Sequence, residues 1–511
     1  MSKILFITSE CWPLIKTGGL ADVSSSLPVA LQQLGEDVIT LLPAYQGVKQ
    51  HLKSLEHIAT IDNDFFEEEV KLLSGTVSST GQHLWLLDAP SLFDRDGGPY
   101  QDQNKQDWQD NAYRYSILCR VACEIAMGRA VPSWKPDVVH CNDWQTGLVP
   151  ALLSLEKDSP ATIFTIHNIA YQGIYMRHIF DNLKLPDSWW HHETLEFHGN
   201  FSFLKGGLIF ADRITTVSPS YAEEIKTSDK GCGMDGLLRH KASVLNGILN
   251  GVDYSSWDPS IDTYIKYPYS EKTLKNKRKN KQALQKELRL KGDKKLPVIG
   301  IVSRFAHQKG IDLVIEQIHR FIQQPVQWAI LGSGDQAIEE SLEALAKEFP
   351  DKVGVKIGYD EGLAHRIEAG ADIFLMPSRY EPCGLNQMYS LRYGTVPVVT
   401  KTGGLADTVL DADDESGGTG FLVAQPNVDE VEKGLKRALS AYKNKAQWLK
   451  LRRRGMAQDF SWQESATAYL HLYEDAMLEK GGQGNAQIIA GDIAIKEGTV
   501  RIKKRRIPVV S

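Results

Sequence analysis

A chain of 511 residues exceeds what one hydrophobic core usually supports, so two or three domains are expected. Its 42% hydrophobic and 24% charged residues exclude a largely disordered or collagen-like chain. A formal net charge of -6 gives no general attraction for nucleic acid or an anionic membrane surface, so a small molecule or a neutral polymer fits better as substrate.

The first element is an apolar run over residues 1–8 that stops at Ser9 and Glu10, too short for a signal-peptide core and without a cleavage site. No segment reaches the roughly 18 to 20 consecutive apolar residues that spanning a bilayer requires. Short β-branched runs at 3–8, 37–42, 137–140 and 162–166 alternate with stretches of helical period, which predicts a parallel, helix-flanked sheet. Residues 258–295, rich in Lys and Asn, read as a solvated helix and linker. A second strand series follows at 298–303, 327–331, 373–376 and 396–400, giving a second α/β domain. After Phe460 the sequence SWQESATAYLHLYEDAML has helical period and is expected to pack back onto the first domain. Beyond Glu479 a Gly-rich bend is expected, then either a hairpin around Glu497-Gly498 or a loose tail. Six cysteines are scattered with no CxxC pair, which disfavours a disulfide framework or a zinc ribbon and makes a reducing cytoplasm the expected location.

One heptapeptide occurs twice. KTGGLAD stands at 16–22 and again at 401–407, each copy after an apolar strand and before a plausible helix. Adjacent glycines let backbone approach a ligand closely, and the exposed N–H groups of a helix start favour phosphate or hydroxyl oxygens. Each copy is therefore expected to face a cleft between the two domains, although plain turn chemistry accounts for either copy alone.

Polar residues gather after the predicted strands, where ligands of open α/β sheets bind. In MPSRYEPCGLNQ, Glu381 falls in a tight turn before a helix starting near Gly384, placed to accept sugar hydroxyls or balance charge on a sugar ring. Arg304 and Lys309, in SRFAHQKG, suit a leaving diphosphate. Asp143 in HCNDWQTG and His167-Asn168 in TIHNIAYQG follow first-domain strands, where buried structural hydrogen bonds are the competing explanation. Other chemistries fail: HHETLEFH is not HExxH, Gly332-Ser333-Gly334 lacks the third glycine of a dinucleotide loop, and no GxxxxGK[ST] loop occurs.

KTGGLADV, HCNDWQTGLVP, TIHNIAYQG, NGVD at 250–253, SRFAHQKG and RYEPCGLNQMYSLRYGTVPVVTKTGGLADTV together resemble the bacterial glycogen synthase and plant starch synthase family, over the chain to about residue 480. The resemblance implies the GT-B fold: two facing Rossmann-like domains, here 1–257 joined by helix 461–480, and 258–460, followed by a tail at 481–511. It implies a glycosyltransferase that passes glucose from ADP-glucose to an α-1,4-glucan with retention of configuration, with no cofactor, no required metal, and no nucleic-acid or membrane partner.

By motif position, Lys16, Gly18, Gly19 and Asp22 resemble the donor and acceptor loop, and Glu381 the carboxylate beside the transferred glucose. Arg304 and Lys309 resemble the diphosphate clamp, and His167 the residue touching the sugar. Asp143 and Asn250 resemble further glucose or acceptor contacts, Tyr359 the aromatic on the base, and Tyr100 an acceptor-side tyrosine; Asn168, beside His167, is expected to bind substrate. Leu385 and Asn386 fall where helix N-terminal groups meet phosphate, and Cys383 and Gly384 before them are expected to bind substrate. The wider GT-B group has a second Glu eight residues after the first, where this chain has Tyr389. The rival expectations are a related transferase using UDP-glucose or a small acceptor, and a catalytically silent glucan-binding protein.

Overall fold

The computed structural model describes residues 1–414 and 417–494, with side chains described through residue 481. The hairpin or tail around Glu497-Gly498 lies outside them. Two sheets organise the chain. The first has nine strands, with Lys3–Ile7 at its centre between Val138–Asn142 on one side and Asp37–Pro43 on the other. Its long core is parallel: Val138–Asn142 pairs with Ala161–Ile166, which pairs with Arg213–Thr216. These strands are buried on both faces, which is why they read as apolar runs.

The other edge departs from the expected all-parallel sheet. Leu52–Ile61, Val70–Val77 and His83–Asp88 form an antiparallel meander, and the outermost strand is largely exposed. Antiparallel strands tolerate one wet face, so their sequence lacks the continuous apolar signal of the buried ones.

The second sheet has six strands, all parallel, in the spatial order Val353–Ile357, Gln327–Gly332, Val298–Val302, Ile373–Met376, Val396–Thr400, Phe421–Val423. In both sheets the chain starts centrally, builds one side, then returns to the other side of its first strand. Such a reversal opens a crevice at the carboxyl ends of the two strands that flank it. In the first sheet those strands are Lys3–Ile7 and Val138–Asn142; in the second they are Val298–Val302 and Ile373–Met376.

The helix Trp462–Ala494 returns to the first sheet, as expected for its beginning. Trp462, Ala466, Tyr469, Tyr473 and Ala476 pack with Ile4, Phe6, Val23 and Leu27, and the Tyr473 hydroxyl lies 2.7 Å from His140 Nδ1. Contrary to the expected bend, this helix runs on through the glycines after Glu479. Where the chain crosses between lobes, the two passages lie side by side: the Val252 amide donates to the Phe460 carbonyl, and a Cβ on Gly251 would meet the Trp462 ring at 2.6 Å.

The Lys-rich segment is also corrected in part. Helix Lys277–Glu287 exposes Lys279 and Lys286, yet Lys277 and Lys281 are buried. Lys277 Nζ donates to the carbonyls of Glu368 and Ala369, the last turn of helix Glu361–Gly370, and Lys281 pairs with Asp372 at 2.6 Å. A cation favourably caps a helix C-terminus. No helix among the described residues is long and apolar enough to cross a membrane.

Candidate active site between the two sheets

The first-lobe wall begins where Lys3–Ile7 ends. Glu10 is buried, and its Oε2 accepts the amides of Thr17 at 2.5 Å and Gly18 at 2.9 Å, while its Oε1 accepts the Tyr100 hydroxyl at 2.7 Å. The first KTGGLAD copy is thereby pinned, and Glu10 takes an amide that the sequence left open for a ligand. Gly18 is extended and Gly19 starts the helix Gly19–Gln33. A Cβ on either glycine would meet nothing within 4 Å, so the space beside them is open. Lys16 Nζ pairs with Asp22 at 2.8 Å. Burial pulls the Lys16 pKa down, but the adjacent Asp22 carboxylate outweighs it and leaves the ammonium above its ordinary value.

The next strands supply His167 and Asp143. Asp143 adopts φ of 56°, a region unusual for a non-glycine, and its Oδ1 accepts the amides of His167 at 2.7 Å and Asn168 at 3.3 Å. Burial pushes its carboxyl up to about 7. Burial also lowers His167 to about 3, which keeps the imidazole neutral. His167 Nε2 lies 2.9 Å from Asn142 Oδ1, and the Asn142 amide nitrogen donates to the Ile7 carbonyl, which fixes the orientation of that amide. Nε2 is therefore the protonated nitrogen and Nδ1 the acceptor. Asn250 is buried, and among the described residues its Oδ1 has no hydrogen-bond donor.

The opposite wall belongs to the second sheet. Lys309, closing a short turn after Val298–Val302, donates to Glu381 Oε2 at 2.6 Å, and the Ser378 hydroxyl joins at 3.1 Å. Glu381 is 5% exposed, so a carboxylate is held beside an ammonium with little water between. Arg304 is exposed and lines the same cavity. Gly384, at φ of 70°, turns the chain into helix Asn386–Arg392, and Asn386 Nδ2 donates to the Val302 carbonyl at 2.7 Å. Cys383 is pushed up to about 12 by burial and remains a thiol. Tyr359 stands 67% exposed, an open aromatic face.

These walls enclose one cavity of about 920 Å³, and every site residue that the family resemblance assigns lines it, from Lys16 and Tyr100 to Leu385 and Asn386. The second KTGGLAD copy does not: Lys401 is exposed, and the glycines after it pack against protein. That expectation is corrected.

Comparison with known proteins supplies the lineage. Residues 3–240 match the model of the starch synthase catalytic domain, and residues 281–454 that of glycosyl transferases group 1. A glycogen synthase of Thioalkalivibrio sulfidiphilus is 52% identical over 479 residues, covering 93% of this chain and 99% of that protein. The chain belongs to the glycogen and starch synthase family of glycosyltransferases. A solved relative, the catalytic domain of starch synthase IV from Arabidopsis thaliana bound to ADP and acarbose, superimposes with a TM-score of 0.84 at 33% identity, covering 93% of this chain and 99% of that one. Sucrose-phosphate synthase from Thermosynechococcus elongatus shares the fold alone, with a TM-score of 0.58 at 17% identity over 94% of this chain and 100% of that one. The expected GT-B architecture is thus present, and a member of this family acts on a nucleotide-activated sugar and a glucan.

For such a synthase, several cleft residues are not singled out by the sequence. Glu10, at the end of the first strand, caps the Thr17 and Gly18 amides. Glu361 lines the cavity and accepts the Tyr359 hydroxyl, placing a carboxylate at the tip of that ring. Trp257 stacks on Tyr389 with centroids 3.8 Å apart and on His365 at 3.7 Å, so the tyrosine in place of a second Glu has an aromatic partner. Trp144, Tyr171 and Tyr175 extend the cavity beyond Tyr100 with aromatic faces. The recoverable signal was Trp and Tyr density after strands; the Glu10 cap, seven residues from Thr17, leaves no periodic trace.

Proposed function

We propose that the protein transfers glucose from ADP-glucose to the non-reducing 4-hydroxyl of an α-1,4-glucan with retention of configuration, releasing ADP. The observation that carries this reading is the opposition, across one cavity, of the Lys309–Glu381 pair, its carboxylate buried, and the neutral His167 with its Asp143 clamp. Residues 1–257 with 461–480 serve as the acceptor-side lobe and 258–460 as the donor lobe, working in the cytoplasm.

In this reading Arg304 and Lys309 bind the diphosphate and neutralise charge as it leaves. Tyr359 stacks on the adenine. Glu381 and the Asn250 acceptor hold sugar hydroxyls, and the His167 Nδ1 lone pair accepts another. Lys16, Gly18, Gly19 and Asp22 close on the donor from the other lobe, and Tyr100 with the aromatic faces beyond it carries the glucan. The bond from C1 to the diphosphate oxygen breaks, giving an oxocarbenium-like state that the Glu381 carboxylate stabilises. The acceptor O4 bonds to C1 on the same face, and its proton passes to the departing diphosphate. Closure of the lobes excludes water that would hydrolyse the donor.

Labelled glucose incorporation into glycogen tests the reading. Wild type is expected to incorporate from ADP-glucose and Glu381→Ala to lose that activity by about a hundredfold or more. Incorporation from UDP-glucose alone, or glucan binding without incorporation, contradicts it.

A further inference from the structure

The second KTGGLAD copy has no part in the cavity, yet it is built into a contact between lobes. Its helix, Gly403–Thr408, meets the helix Pro219–Glu224 of the first lobe. Glu224 Oε1 accepts the Thr402 hydroxyl at 3.0 Å and the Gly403 amide at 2.8 Å. Asp407 replies in the opposite direction, accepting the Ser220 amide at 3.0 Å and its hydroxyl at 2.6 Å. Each short helix start is thus capped by a carboxylate from the other lobe, a reciprocal arrangement of charge-assisted hydrogen bonds.

Between these contacts lies the turn that carries Glu381. The Gly404 amide is 3.2 Å from the carbonyls of both Glu381 and Pro382. The fully buried Ser218 hydroxyl, from the first lobe, donates to the Pro382 carbonyl at 2.7 Å. The approach is close enough to require the glycines: a Cβ on Gly403 would stand 2.0 Å from the Glu381 carbonyl oxygen, and one on Gly404 2.1 Å from that of Cys383. The backbone of Glu381–Cys383 is clamped by main-chain and side-chain donors from both lobes, independently of the Lys309 bond to its carboxylate.

We propose that this contact is a latch that positions the Glu381 turn, with Glu224, Asp407 and Ser218 as positioning residues for glucosyl transfer. The proposal rests on the transferase reading above. The latch sets the carboxylate that faces the reacting carbon, whereas Tyr359 and Arg304, on other segments, hold the nucleotide. Loosening it therefore lowers the rate of the chemical step and leaves donor affinity in place.

Steady-state kinetics on the full chain, with melting followed in parallel, test the latch. Glu224→Ala is expected to lower kcat about tenfold, the scale of a small misplacement at the reacting centre, with KM for ADP-glucose within about twofold. Glu224→Gln keeps an oxygen that accepts from Thr402 and Gly403 and is expected to recover most of that loss. Should Glu224→Ala not fold, Ser218→Ala removes a single hydroxyl and is expected to lower kcat about threefold with the same KM. An active wild type alongside folded variants with unchanged kcat, or with the loss confined to KM, overturns the latch alone. A wild type without glucose incorporation overturns the transferase reading and this inference together.

Discussion

The two KTGGLAD copies are identical in sequence and opposite in use. At the first, Glu10 from the same lobe pins the loop, and the face of Gly18 and Gly19 is left empty toward the cavity. At the second, a carboxylate from the other lobe pins the helix start, and the faces of Gly403 and Gly404 are filled by the Glu381 turn. A glycine pair permits close approach, and the surrounding fold decides whether a ligand or the protein itself makes that approach. The comparison also explains why the two lysines differ: Lys16 is held over the Trp12 ring and beside Asp22, whereas Lys401 is exposed.

The largest contrast is expected between glycines. Gly404→Ala drives a methyl into the Cys383 carbonyl and is expected to cost about 3 kcal/mol of stability or more, the upper range of overpacking, together with most of the activity. A melting temperature equal to wild type would break the comparison at its firmest point. Next come the lysines. Lys16→Ala is expected to reduce kcat/KM about a hundredfold, as loss of a charge acting on the transition state does, while Lys401→Ala stays within about twofold. Equal losses in a glucose-transfer assay would mean that both copies reach the substrate.

Much of this layout was legible beforehand, for reasons specific to the residues. Parallel strands such as Ala161–Ile166 and Val298–Val302 are buried on both faces, so their apolar runs stand out, and the polar residues just beyond them line the cleft. The exposed strand Leu52–Ile61 carries no such signal. Contacts made at long range were silent as well. Glu224 caps a helix 179 residues away, and Lys277 looks like any lysine in a charged run until the carbonyls of Glu368 and Ala369 close around it. The two KTGGLAD copies are identical in sequence, so only their surroundings in the fold separate their uses.

Smaller effects sharpen the contrast. Gly18→Ala adds a methyl to open space, so a stability change of at most about 1 kcal/mol is expected, the scale of an N-cap change. Its KM for ADP-glucose is expected to rise about tenfold, the effect of about 1.4 kcal/mol of lost donor contact. A melting shift as large as that of Gly404→Ala would show that both pairs are packed alike.

A pH-dependent effect concerns the wall beside the first copy. Burial raises the Asp143 carboxyl from 3.8 to about 7, so between those values the folded chain holds a proton that the unfolded chain has released. Stability contributed by this group therefore falls as pH rises through that window. Asp143→Asn retains an oxygen for the His167 amide and removes the titration. The melting temperature of the variant relative to wild type is expected to climb between about pH 4 and pH 7 and then level off. A difference that stays flat with pH would contradict the buried, raised carboxyl.

Hydrogen–deuterium exchange with and without ADP tests most directly whether one copy meets the nucleotide and the other meets the protein. Slowed exchange over residues 17–22, with residues 402–407 already slow and unchanged by ADP, is the predicted result. Slowing over 402–407 alone, or at both copies equally, would contradict it.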